Sequence, residues 1–312
     1  MQVPGRQSGL RIVVLHNREP AYRTAAAWAA RMGHSIELVV TTPGPPTRRS
    51  WRYRSILAVA PPEQNVLVTT QLRRVALPLI AALAPDLVLS FTFPHRLPSE
   101  LIAIPRIATV NLHPTPLPRY RGPNPMRMIY DGCPTLGATL HYLEREFDTG
   151  RVLGIAEGPM PEVLTSDVVY RAWEPLLTRA LAEGVERAIS GDPGAEQDHA
   201  QASHSPEFSA AERWIDWDLP GATLHHRVAG LNATFGVEQV LPREASLLGQ
   251  AWALIGDRPH RIRHVEPLSG VAPAAPGTVV ERGDGAVIVA AADRLVRATG
   301  CTPDDAAPPR PR

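Results

Sequence analysis

IATVNLHPTPLPRYRG, residues 107–122, is the stretch on which the reading of this chain turns. Residues 107–112 form an apolar run of strand length, and His113-Pro114 ends it, since proline cannot continue a central ladder. A second run, LGATLHYL at 136–143, reads as another strand, with Asp148-Thr149-Gly150 in a glycine-terminated loop after it. Asn111 and His113, two apart in extended chain, point to one side. The carboxyl ends of strands in an open α/β sheet face the crevice where ligands bind. If these two ends converge, an amide, an imidazole and a carboxylate come within reach of one another. That set suits acyl transfer, with Asn111 as amide donor, His113 as proton-handling group and Asp148 as its orienter. Taken singly, Asn-x-His at a strand end and Asp-Thr-Gly are also ordinary turn sequences.

Outward from this stretch, strands and helices alternate. RIVVLH (11–16) reads as a first parallel strand, and residues 21–32 as an Ala-rich helix closed by Gly33. SIELVVTT (35–42) is a second strand, 43–62 a Pro/Arg-rich loop, 71–84 a helix despite Pro78, and DLVLSF (86–91) a third strand. The expected fold is α/β, a doubly wound and mostly parallel sheet. The first strand–helix turn, HNREPAYR, lacks the Gly-x-Gly-x-x-Gly of a dinucleotide site. Residues 166–190 carry helical periodicity behind a Ser N-cap. GDPGAEQDHAQASHSP (191–206) has the composition of a linker. The remainder reads as a helical pair followed by short Gly-bounded strands.

At 312 residues the chain accommodates two domains. No apolar run nears the roughly 20 residues that span a bilayer, and no secretory h-region opens the sequence, so a cytoplasmic protein without a membrane partner is expected. Cys133 and Cys301 fit neither a zinc pattern nor a disulfide framework and read as incidental thiols, with no metal expected. Lysine is absent, so all 32 Lys+Arg residues are arginine, which excludes Schiff-base and lysine-nucleophile chemistry. His141, His225 and His226 read as packed or exposed side chains, and Trp214 and Trp217 as core of the second domain.

NLHPTPLPRYRG (111–122) together with GATLHYLEREFDTGRVL (137–153) resembles the folate-dependent formyltransferases, the family of methionyl-tRNA formyltransferase, glycinamide ribonucleotide transformylase and sugar N-formyltransferases. The family pattern is Asn-x-His-Pro-Ser-x-Leu-Pro-x-x-x-Gly, then Gly-x-Thr, then Asp-x-Gly, and the chain meets it in order, with Thr115 in the Ser place. The resemblance implies 10-formyltetrahydrofolate as formyl donor and Asn111, His113 and Asp148 as catalytic residues. Phe93 and Leu97, in the stretch FPHRLP (93–98), and Thr115, Pro116, Leu117 and Pro118 would contact the cofactor. Arg119, Arg121 and Asn124 could grip an acceptor phosphate or carboxylate. WIDWDLPGATLHHRVAGLN (214–232) resembles the opening of the C-terminal domain of the methionyl-tRNA type, a small β-barrel-like domain. The implied organisation is a catalytic domain at 1–190, a linker at 191–206 and a C-terminal domain at 207–312.

The amine that receives the formyl group is read from departures. LHNREP stands where the methionyl-tRNA branch carries Gly-Thr-Pro-x-Phe, and Arg121-Gly122-Pro123-Asn124-Pro125 replaces its Arg-Gly-Ala-Ala-Pro. Residues 205–312 hold 11 Arg against 13 Asp and Glu, a net −2, which suits phosphate-backbone binding poorly. Arg48, Arg49, Arg52 and Arg54, interleaved with Trp51 and Tyr53, form a small basic and aromatic cluster. A small biosynthetic amine, such as an amino sugar or a hydroxylated ornithine, is the first reading. Initiator tRNA is the second, and a non-catalytic relative that binds folate or a partner is the third. The oligomeric state is not legible.

Overall fold

A computed structural model describes residues 9–43, 56–233, 251–305, 307 and 310. The basic cluster at 48–54 lies outside the described residues. The chain folds as two compact units: residues 1–123, 137–158 and 173–204 make the first, and 124–136, 159–172 and 205–312 the second.

The first unit is built on a seven-stranded sheet in the order β3-β2-β1-β4-β5-β6-β7. Its strands are β1 (Arg11–His16), β2 (Ser35–Thr41), β3 (Val66–Val68), β4 (Leu87–Phe91), β5 (Ala108–His113), β6 (Thr135–Tyr142) and β7 (Val152–Pro159). β1, β4 and β5 are near-continuous apolar runs because both of their faces are covered, the mark of a parallel sheet interior. β1 to β5 pair in parallel, whereas β6 runs antiparallel to β5 and sets His141 opposite Asn111. β3 and β7, absent from the sequence reading, lie at the two sheet edges.

Helix α1 (Glu19–Met32) ends at Gly33, whose left-handed φ of 72° lets its amide reach back to Ala29 and Ala30. The helix expected at 71–84 is divided. Leu72–Ala76 is π-helical, and α2 (Leu77–Leu83) starts so that Pro78 falls in its first turn, where no amide hydrogen is required. α2 and the short α3 (Ser99–Ile102) cover one sheet face through Ile80 and Leu101, packed with Val13, Leu15, Val40 and Val88. Residues 191–204, linker-like in composition, belong to the first unit: Ala195 pairs with Val152 and His204 with Arg121.

In the second unit α4 (Arg127–Tyr130) and the stretch around α6 (Gly221–Asn232) precede short strands. α5 (Ser166–Ile189) runs from this unit into the first. The expected helical pair is not seen among the described residues, where 207–219 forms turns before α6. β10 (His264–Pro267), β13 (Leu295–Thr299), β12 (Ala286–Ala290) and β11 (Val279–Gly283) make one antiparallel sheet. β14 (Thr302–Pro303), β9 (Arg258–Ile262) and β8 (Ala251–Ile255) make another. Trp217, Leu224, Val228 and Leu231 bury against these strands, and Trp214 is buried beside Trp252. His225 binds the Val265 carbonyl at 2.6 Å, a packing role.

Candidate active site

Asn111 and His113 are the fourth and last residues of β5, and Asp148 lies in the loop after β6. β6 runs antiparallel to β5 and leaves it beside Thr109, and the loop that follows turns back to bring Asp148 to Asn111 and His113. The three side chains predicted from the sequence do meet. Asn111 Nδ2 is 3.4 Å from Asp148 Oδ1, and His113 Nδ1 is also 3.4 Å from Asp148 Oδ1. His113 and Asp148 are buried, at 5% and 8% exposure, so their electrostatics act in a largely dry setting.

Two further groups hold His113 and Asp148. His113 Nε2 lies 3.0 Å from the Tyr120 carbonyl, so both ring nitrogens face acceptors and the ring can carry a proton on each. Tyr120 reaches that position with φ of 60°, and the Thr115 hydroxyl donates to the Arg119 and Tyr120 carbonyls at 3.0 and 3.3 Å. Asp148 Oδ2 accepts the Gly122 amide at 2.9 Å. Burial works against ionising Asp148. His113, His141 and the Gly122 amide outweigh it and hold the carboxyl well below the usual carboxylate range.

His141 was read as packing and is part of the site. Its Nε2 is 3.1 Å from Asn111 Nδ2 and 3.7 Å from Asp148 Oδ1. Its Nδ1 lies 2.7 Å from the Tyr142 carbonyl, which can only accept, so Nδ1 carries the ring proton and Nε2 accepts a hydrogen bond from the Asn111 amide. Gln197 is a second residue the sequence did not single out. Its Nε2 donates to the Asp148 and Gly150 carbonyls at 3.0 and 2.8 Å, fixing the loop from below. A histidine inside an otherwise apolar strand, at the position facing Asn111, was the legible signal for His141. Gln197 lay in a stretch whose composition signalled only a linker.

Two glycines in the motifs answer to close approach. A Cβ on Gly150 would collide with the Tyr142 carbonyl that holds His141, and a Cβ on Gly137 would lie 2.7 Å from the Pro116 ring. The 115–118 loop is locked to β6 at this point: Thr139 Oγ1 donates to the Thr115 carbonyl at 2.8 Å and accepts the Leu117 amide at 3.0 Å. The Leu117–Pro118 peptide is cis.

The remaining expected residues fall as follows. Phe93 and Leu97 are buried with α2 and α3, and Leu117 is buried at 4% exposure. Pro116 and Pro118 flank Leu117 in the locked loop. Arg96, between Phe93 and Leu97, pairs with Glu146 at 3.0 Å and sits 5.1 Å above the Phe147 ring, tying the 93–98 segment to the loop that carries Asp148. Arg119 pairs with Glu157 at 2.8 Å on the surface. Arg121 is buried and binds Gln197 Oε1 at 2.6 Å, so it braces the Asp148 loop. Asn124, in the second unit, donates to the Pro206 carbonyl at 3.3 Å. Arg121 and Asn124 are thus engaged by the chain itself, not open to an acceptor.

The comparisons with known proteins follow the same lines. A methionyl-tRNA formyltransferase of Bacillus licheniformis is 32% identical over 155 residues, 49% of this chain and 49% of the relative, so the match spans about half the length of that protein. A methionyl-tRNA formyltransferase of Thiobacillus denitrificans is 27% identical over 282 residues, 87% of this chain and 85% of the relative. In fold, the chain resembles an N-formyltransferase from Helicobacter canadensis solved in complex with folinic acid and dTDP-3-aminofucose, with a TM-score of 0.64 at 13% identity over 94% of this chain and 100% of that chain. Residues 10–183, more than half of the sequence, match the formyl transferase family, and the chain belongs to that family.

Proposed function

We propose that the protein transfers a formyl group from 10-formyltetrahydrofolate to the amine of a small biosynthetic metabolite, an amino sugar or hydroxylated ornithine being the class expected. The observation that carries the reading is the largely buried Asn111–His113–Asp148–His141 network on β5, β6 and the loop after β6. The residues fit a folate: Phe93, Leu97 and Leu117 make the surroundings apolar, and the Thr92 hydroxyl is buried without a partner, as suits a ligand's polar edge. When bound, the donor supplies the activated formyl carbon.

The chain's own part is electrostatic and acid–base. Asn111 aims its amide at the oxygen on which negative charge develops, a contribution of about 3 kcal/mol in comparable sites. His113, held between the Tyr120 carbonyl and Asp148, strengthens that field or hands a proton to the departing nitrogen. Asp148, ionised in the resting site, holds His113 and accepts, directly or through water, the proton lost by the amine. Both amide hydrogens of Asn111 are engaged here, so the substrate oxygen has to displace one of these bonds.

The net −2 of residues 205–312 supports a small acceptor over tRNA. The methionyl-tRNA formyltransferase relatives favour initiator tRNA as the second reading. Purified protein with 10-formyltetrahydrofolate, assayed against amino sugars, hydroxyornithine and charged initiator tRNA, separates them. Formylated small amine and weak, salt-insensitive tRNA binding are expected. Formyl-methionyl-tRNA product with submicromolar binding that collapses with salt would overturn the small-acceptor reading. Folate binding with no turnover on any amine would overturn the enzymatic one.

A further inference from the structure

A second set of buried polar side chains stands at and just beyond the strand ends and takes no part in the network above. His16 Nε2, Asn17 Oδ1, Glu19 Oε2 and Thr41 Oγ1 are all buried without a hydrogen-bond partner, in side chains no more than 5% exposed. Their placement follows from the sheet. His16 is the last residue of β1 and Thr41 the last of β2, and the register Leu15↔Val40 puts the two level and on one face. Asn17 and Glu19 follow directly, where the chain turns into α1.

The orphaned atoms share one chemical character. His16 Nδ1 faces the Phe91 carbonyl at 3.1 Å, so it carries the ring proton and Nε2 presents a lone pair. Burial lowers the His16 pKa to about 4, keeping the ring neutral at ordinary pH. Glu19 Oε1 is taken by Arg23 at 2.7 Å, which leaves Oε2 as an acceptor. Asn17 Oδ1 is an acceptor, and the Thr41 hydroxyl can act either way. Buried acceptors left bare are costly and rare, so such a group implies a missing donor. A phosphate or carboxylate would set lone pair against lone pair.

The position is equally specific. Strand order reverses between β1 and β4, the switch point where open α/β sheets take ligands, and His16 and Phe91 face each other across it. Phe91 in turn pairs with Leu112, between Asn111 and His113. At about 4.8 Å per strand, His16 lies roughly 10 Å from that point. A molecule laid along the strand ends spans that distance.

We propose that His16, Asn17, Glu19 and Thr41 form an acceptor subsite for a hydrogen-bond donor, a hydroxyl or an ammonium, carried about 10 Å from the amine that is formylated. The inference rests on the formyltransferase reading and adds a substrate requirement to it: the acceptor bears a distal donor and no anion there. The test compares 6-aminohexan-1-ol, hexylamine and 6-aminohexyl phosphate as formyl acceptors, and follows His16 Nε2 by 15N NMR in histidine-labelled protein. The amino alcohol should exceed both others in kcat/KM by about tenfold, the worth of one good hydrogen bond, and should shift the His16 Nε2 resonance where hexylamine does not. Thr41→Val, which keeps shape and removes only the hydroxyl, should bring the amino alcohol down toward hexylamine. Equal use of amino alcohol and hexylamine with an unmoved Nε2 signal, as with an ordered water only, overturns the subsite and leaves the formyltransferase reading standing. Preference for the phosphate overturns it as well. A His16 shift with the amino alcohol but no formylation of any amine supports the subsite and counts against the reaction.

Discussion

Asn111 Nδ2 lies 3.1 Å from His141 Nε2, across the antiparallel step between β5 and β6. The contact orients the amide on which charge stabilisation depends, and the Tyr142 carbonyl fixes the tautomer that makes it. His141 is therefore a positioning residue acting through Asn111. His141→Phe should lower kcat by about a hundredfold, as small misplacements of reacting groups do, with KM for the folate nearly unchanged. A parallel rise in folate KM, or a loss recovered by lowering temperature, would mark a purely structural role.

Asp148→Asn keeps the shape of the side chain and removes its charge. Turnover should fall by roughly 10³-fold or more. Adding His113→Ala should cost little further, since the two act as one unit. Independent, multiplicative losses in a double-mutant cycle would show that the 3.4 Å contact between them is idle.

Gly150→Ala probes the Asp-x-Gly turn. The new methyl collides with the Tyr142 carbonyl, which is backbone and cannot swing away. A destabilisation of about 1–3 kcal/mol is expected from such overpacking, together with loss of activity as His141 loses its anchor. Denaturant midpoints and kcat measured on the same preparation check both parts.

His16 makes stability depend on pH. Its pKa is near 4 in the folded chain and near 6.5 unfolded, so between these values the unfolded state binds more protons. Stability should therefore rise with pH from about 4 and level off above 6.5, by up to about 3 kcal/mol from this residue. His16→Gln should flatten that slope. Urea titrations at pH 5 and pH 7.5 on both proteins measure the difference, and identical slopes would show that His16 is not held neutral.

The sequence by itself determined the α/β class, the naming of Asn111, His113 and Asp148 as one set, and the glycine that closes the Asp148 loop. These follow from local rules: apolar runs specify buried strands, proline and glycine specify where they stop, and short motifs keep their members near in the chain. What the sequence left open depends on partners distant along it. His141 joins the site only because β6 runs antiparallel to β5, and a strand's period of two says nothing about the direction of its neighbour. Gln197 joins because a polar, linker-like stretch returns to the Asp148 loop, where its amide donates to the Asp148 and Gly150 carbonyls. Arg121 and Asn124 looked like surface grips by residue type, yet they are spent on the chain itself. The unpartnered acceptors at His16, Asn17, Glu19 and Thr41 are likewise a tertiary fact. Their burial without partners follows from packing between segments far apart in the chain and leaves them requiring a donor.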